Sequence, residues 1–106
     1  IGGLAQGIGY ALLEYPIFKD GRMVNAQLTN YIIPTAADIP PMVAYIIEKP
    51  YRDGPFGAKG VGELPMDITA PAIAAAIHHA TGRLITSLPI LPEDILNAMH
   101  PQKEQV

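Results

Sequence analysis

The chain has 106 residues, a formal net charge of -3 and no cysteine, and 49% of its residues are hydrophobic with 5 Tyr, 2 Phe and no Trp. One domain with a single core of small aliphatic residues is expected, burying about 60–68% of the unfolded surface. A disulfide framework, thiolate catalysis and iron–sulfur ligation from this chain are excluded, no cluster of Lys and Arg offers a footprint for nucleic acid, and no apolar run is long enough to cross a bilayer.

The opening Ile1-Gly2-Gly3-Leu4 carries no initiator methionine and no basic region of a signal peptide, and it begins inside a helix pattern. The chain is therefore expected to be a piece of something longer. Leu4, Ile8, Ala11, Leu12 and Tyr15 recur at helical spacing, which predicts a helix from about Leu4 until Pro16 stops it. Gly3, Gly7 and Gly9 leave its first half poor in side chains, at about 1 kcal/mol per interior glycine, so something must approach it closely. Asp20-Gly21 between apolar positions predicts a hairpin turn with short strands on either side.

Leu28 to Ile33 reads as a further strand, followed by an irregular connection through Pro34, Asp38, Pro40 and Pro41. Val43 to Glu48 regains strand character, and Pro50, Asp53, Gly54 and Pro55 turn it into a glycine-rich loop. A helix is expected over about Met66 to Ala80, capped by Asp67 or Thr69, with Pro71 in its first turn and Gly82 as its C' residue. Leu84 to Leu88 suggests a short strand, and Pro92-Glu93-Asp94 opens a last helix ending near Met99. The expected fold class is α+β: short strands forming a small mixed sheet packed by about three helices, over residues 1–100, with 101–106 a disordered tail.

The chemistry concentrates in Gly54-Pro55-Phe56-Gly57-Ala58-Lys59-Gly60-Val61-Gly62-Glu63-Leu64-Pro65, a loop whose glycines allow close backbone approach and which ends on one carboxylate. Taken alone, Glu63 reads first as an acid at a helix start, where the dipole favours it by about 0.3–1 kcal/mol. Lys59 lacks the following Ser or Thr of a phosphate loop, and the glycines from Gly2 to Gly9 follow no strand, so neither nucleotide motif is present. His78 and His79 are adjacent and point about 100° apart on a helix, so they read as surface residues near its C-terminus and not as a metal pair. No metal ligand is assigned to this chain. Gln6 is polar in an apolar, glycine-flanked run, a costly placement unless its amide finds partners or solvent.

Two segments, Gly2-Gly3-Leu4-Ala5-Gln6-Gly7-Ile8-Gly9-Tyr10-Ala11-Leu12-Leu13-Glu14 and Gly57-Ala58-Lys59-Gly60-Val61-Gly62-Glu63-Leu64-Pro65, together with Asn30-Tyr31-Ile32-Ile33-Pro34 and Asp38-Ile39-Pro40, resemble the molybdenum hydroxylases. The chain is similar to the C-terminal part of the molybdopterin-binding subunit in the xanthine dehydrogenase and aldehyde oxidase family. The resemblance implies Glu63 as the active-site base beside molybdenum and Gln6 as a hydrogen-bonding partner of the pterin, with Gly7, Gly9, Gly60 and Gly62 letting backbone lie against the cofactor. It further implies a molybdopterin-type cofactor shared with regions outside this chain, iron–sulfur clusters and FAD on partner modules, a small-molecule substrate and an oligomeric, cytoplasmic enzyme, in which this chain alone is inactive. The reading from another class is a cofactor-free interaction domain that keeps the fold and uses an apolar surface to join a partner.

Overall fold

The computed structural model describes residues 1–101, so the expected tail at 101–106 lies almost wholly outside the described residues. In chain order the elements are α1 (Gly2–Leu12), a two-stranded hairpin of β1 (Phe18–Lys19) and β2 (Arg22–Met23), a 3-10 turn (Pro55–Gly57), α2 (Leu64–Thr81) and α3 (Pro92–Met99). The α+β composition and the three helices agree with the sequence. The sheet is antiparallel and holds only the hairpin among the described residues.

The hairpin forms where Asp20-Gly21 places it: Phe18 faces Met23, Lys19 faces Arg22, and both turn residues have positive φ, 49° and 73°. Those are the dihedrals of a turn whose twist matches that of the strands. Asn25 ties the hairpin down from inside. It is 6% exposed, its Oδ1 accepts from the Ile17 N–H at 2.8 Å, and its Nδ2 donates to the Tyr15 carbonyl at 2.8 Å.

The other expected strands are not formed. Residues 28–30 are a turn, with the Tyr31 N–H donating to the Gln27 carbonyl at 2.7 Å; residues 43–48 pair with nothing among the described residues, and 87–89 bend towards α3. A strand is completed by a second strand, and hydrophobic alternation says nothing of whether that partner is at hand.

α1 ends earlier than Pro16 because the Gly9 carbonyl accepts from both Leu13 and Glu14 N–H groups, at 2.9 and 2.8 Å, which closes the last turn. α2 begins earlier than expected, at Leu64, with Pro65 as its first-turn proline and Glu63 at the N-cap position. Neither Asp67 nor Thr69 caps it. Pro71 consequently falls inside the helix, where it cannot donate to the Asp67 carbonyl. Gly82 closes the helix in the left-handed region, φ 68°, its N–H donating to the His78 carbonyl. α3 matches its expected bounds, and the Asp94 carboxylate accepts from the Leu91 N–H at 2.9 Å.

Among the described residues α1 and α2 form the one extensive helix contact, and glycine makes it possible. A Cβ on Gly3 would lie 2.8 Å from Pro65 Cβ, and one on Gly7 would lie 2.7 Å from Thr69 Oγ1 and 3.0 Å from the Met66 carbonyl oxygen. Around this seam Ala11, Ala70 and Ile90 are buried, and the Ile90 N–H donates to the Ala11 carbonyl at 2.7 Å, bringing the approach to α3 against the end of α1.

The expected compact core is not what these residues build. The chain exposes 8935 Å² and has a radius of gyration of 18.0 Å, where a compact monomer of its mass exposes about 5,700 Å² and a 100-residue domain has a radius near 13 Å. Burial reaches only about 45% of the unfolded surface, and residues 43–53 are exposed throughout.

Candidate functional site

Because Gly3 rests on Pro65, the first turns of α1 lie alongside the start of α2. Gln6 belongs to the former and Glu63 to the latter. Gln6 lines a cleft of about 390 Å³ with Gly2, Ala5, Glu14, Thr35 and Ile39 among its walls. Its amide is exposed and makes no hydrogen bond among the described residues, so donor and acceptor are both free towards the cleft.

Glu63 is exposed, takes αR backbone angles at the N-cap position and caps nothing with its side chain. The ion pair found among the described residues, Arg52 with Asp53 at 3.3 Å, does not involve it. Its carboxylate is thus unengaged at a helix start where Pro65 has no N–H and the Met66 and Asp67 N–H groups donate to the Glu63 carbonyl at 2.8 and 3.0 Å. Gly60 and Gly62 have ordinary φ values, and a Cβ on either would meet nothing within 4 Å. Neither turn geometry nor internal packing calls for glycine at these two positions. The loop's upstream end is built differently: the Tyr51 N–H donates to the Gly57 carbonyl at 3.0 Å, and Phe56, at φ 54°, stands fully exposed between Gly54 and Gly57.

The cleft also uses residues that the sequence singles out only as part of a motif. Tyr31 donates its hydroxyl to Glu14 Oε2 at 2.6 Å, which fastens the Asn30–Pro34 segment to the end of α1. This bond, then burial and the negative charge of Glu14, hold the Tyr31 hydroxyl above its usual 10.0. Close by, Pro34 Cδ would be 2.7 Å from a Cβ on Gly9, so that glycine serves the wall of the cleft. On the facing turn, Thr35 donates both N–H and hydroxyl to Asp38 Oδ2, at 2.8 and 2.7 Å, and these bonds hold the Asp38 carboxyl below its usual range. Glu14 is the first charged residue in the chain, at the end of an apolar helix; that isolation is the available signal. His78 and His79 are exposed in the last turn of α2, and no group able to hold a metal ion occurs among the described residues.

The molybdopterin cofactor-binding domain family matches residues 1–40, the stretch that carries Gln6 and the cleft wall. Aldehyde oxidoreductase of Megalodesulfovibrio gigas is 46% identical over 99 residues, covering 92% of this chain, and the xanthine dehydrogenase molybdenum-binding subunit of Escherichia coli is 36% identical over 101, covering 93%. The crystal structure of quinoline 2-oxidoreductase from Pseudomonas putida 86 superposes on 96% of the chain with a TM-score of 0.83 at 36% identity. The chain belongs to the molybdenum hydroxylase family. It spans 11% and 13% of the two relatives and 14% of the quinoline 2-oxidoreductase chain. As a molybdenum hydroxylase portion, it contains the alignable region from the Gln6 helix through the Glu63 loop to α3, and none of its described helices is long and apolar enough to cross a membrane.

Proposed function

We propose that this chain forms part of the active site of a molybdenum hydroxylase that hydroxylates a heterocycle or aldehyde carbon with water-derived oxygen, Glu63 acting as the general base. The observation carrying this reading is an unpaired Glu63 carboxylate, at the end of a glycine-rich loop, beside the helix that bears an unpaired Gln6 amide. The residues fit a pterin-bound metal: Gln6 offers a donor and an acceptor in an open cleft, and Gly60 and Gly62 leave space where no neighbour of this chain enters.

The bound cofactor would supply Lewis acidity and the redox capacity for substrate oxidation. Gln6 would orient it, its carbonyl oxygen accepting and its amide nitrogen donating, which also satisfies a side chain otherwise left to water. The backbone at Gly7, Gly60 and Gly62 would allow close approach without a Cβ in the way. A Glu63 carboxylate oxygen would take the proton lost by the attacking oxygen, and its exposed position leaves it free to pass that proton on. Electrons would leave through iron–sulfur and flavin modules on partner subunits or domains.

Glu63→Gln in the complete enzyme should lower kcat by about 10²–10⁴-fold with molybdenum content unchanged. An undiminished rate in the fully loaded variant removes Glu63 from the mechanism. Metal analysis of the complete wild-type protein separates the enzyme from a cofactor-free interaction domain of the same fold.

A further inference from the structure

Residues 40–51 run without a turn, a bend or a helical residue. Within them Val43, Tyr45, Ile46 and Ile47 are 75%, 89%, 87% and 91% exposed, and no backbone group of residues 42–49 enters a hydrogen bond among the described residues. Such a segment carries two unmet demands. Its main-chain N–H and C=O groups have no partner among the described residues, and its apolar side chains lack cover.

The pattern of the side chains states what would meet both. With a period of two, Val43, Tyr45 and Ile47 share one face and Met42, Ala44 and Ile46 the other, so both faces are apolar until Glu48 and Lys49 end them. A strand wet on one side alternates apolar with polar; one apolar on both sides belongs inside a sheet covered on both faces. A helix laid on this ribbon would cover side chains and leave the main chain unpaired, whereas a sheet edge answers both demands.

We propose that residues 42–49 are a β-strand completed by a sheet edge from the rest of the same molybdopterin-binding subunit. Quinoline 2-oxidoreductase supports that source: 96% of this chain follows the same course within a chain of which it makes up only 14%. The surplus of exposed area points the same way. The chain exposes about 3,000 Å² more than a compact monomer of its mass, several times the roughly 800 Å² that one partner of a standard interface contributes. Both ends of the ribbon are already fixed. Met42 lines an apolar groove of about 350 Å³ with Leu4, Ile8 and Ile68 of the two packed helices, and Tyr51 is bonded to Gly57 at the root of the Glu63 loop. Pairing the strand would therefore anchor the upstream end of that loop. The inference rests on the chain's place in a longer subunit and is independent of the role given to Glu63.

Hydrogen exchange on the complete subunit tests it. The amides of residues 43–49 should exchange about 100-fold or more slowly than in an unstructured chain, at every protein concentration. Exchange at the unstructured rate overturns the proposal, and so does protection that fades on dilution, which would assign the edge to a second copy. Ile46→Pro removes one N–H from the ladder and should abolish protection across 43–49 while the α1 and α2 amides keep theirs; Ile46→Val should change neither. Protection surviving Ile46→Pro also refutes the strand, and if that variant does not fold the wild-type measurement decides. Molybdenum content and turnover, read on the same preparation, report on the proposed activity separately.

Discussion

At the scale of single residues, the site depends on a few positions where one atom more or less would matter. Gly7 is the clearest: the Cβ of an alanine would fall 2.7 Å from Thr69 Oγ1 and 3.0 Å from a main-chain oxygen that cannot swing away. Gly7→Ala should therefore destabilise the α1–α2 contact by about 1–3 kcal/mol, the usual range for overpacking, measured as faster amide exchange of α1 and the start of α2 in the complete subunit. Tyr31 gives a prediction in pH. Its folded-state titration lies above the ordinary 10.0, so the stability it adds is fully present below pH 10 and is lost as pH rises through the higher folded value. Tyr31→Phe should cost about 1.5 kcal/mol at neutral pH, a hydrogen bond to a charged acceptor, and should remove this alkaline step. Exchange of the Asn30–Ile33 amides against pH reads both effects. Asp38 titrates on the other side: depressed by Thr35, it holds its turn above the usual carboxyl range and releases it as pH falls through the lowered value, so the Thr35 amide resonance should move with a midpoint below 3.8.

At the scale of elements, what can be read from the sequence follows what is local. The Asp20-Gly21 hairpin and the Gly82 helix end are legible because φ at single residues decides them, and α3 is legible from Pro92 and the acids behind it. The start of α2 escapes the sequence for an equally local reason: Pro71 reads as the first-turn proline, yet Pro65 already holds that position. Prolines at the two sites are indistinguishable by composition, and packing of Pro65 on Gly3 decides between them. The strand expected at residues 43–48 does not form: the segment takes no ladder partner among the described residues, and propensity alone does not supply one. Of the candidate site, Glu63 and Gln6 stand out through their glycine neighbours, while the Tyr31–Glu14 bond cannot be foreseen because it joins residues 17 apart through a turn that reads as a strand. Pro71 supports a prediction here. It is exposed and interrupts the α2 hydrogen-bond ladder, so Pro71→Ala should slow exchange through the middle of α2 by restoring one donor and relieving a ring clash, a gain of about 1–3 kcal/mol. A faster exchange would mean that the ring itself is packed against another part of the subunit.

At the scale of the whole molecule, the exposed ribbon, the open cleft and the nearly bare helix faces have one physical origin. Folding must offset about 1–2 kcal/mol of backbone entropy per residue, chiefly by removing apolar surface from water. Among the described residues the buried apolar side chains are Ala11, Ala70 and Ile90, whereas Ile17, Phe18, Leu28, Val43, Tyr45, Ile46, Ile47 and Leu84 are all exposed. The α1–α2 seam is built from glycine and alanine, which bury little area per residue. Separated from the remaining subunit, the chain should thus lack a cooperative transition: its urea unfolding, followed by helix content, should be broad, with an m-value well below that of a compact protein of 106 residues. It should also bind a hydrophobic dye and self-associate as concentration rises, because Val43, Tyr45, Ile46 and Ile47 then expose apolar surface without cover. A sharp transition from a monomer that binds no dye would mean that the exposed segments fold back on this chain's own core, and the strand partner proposed for residues 42–49 would then have to be sought within these same 106 residues.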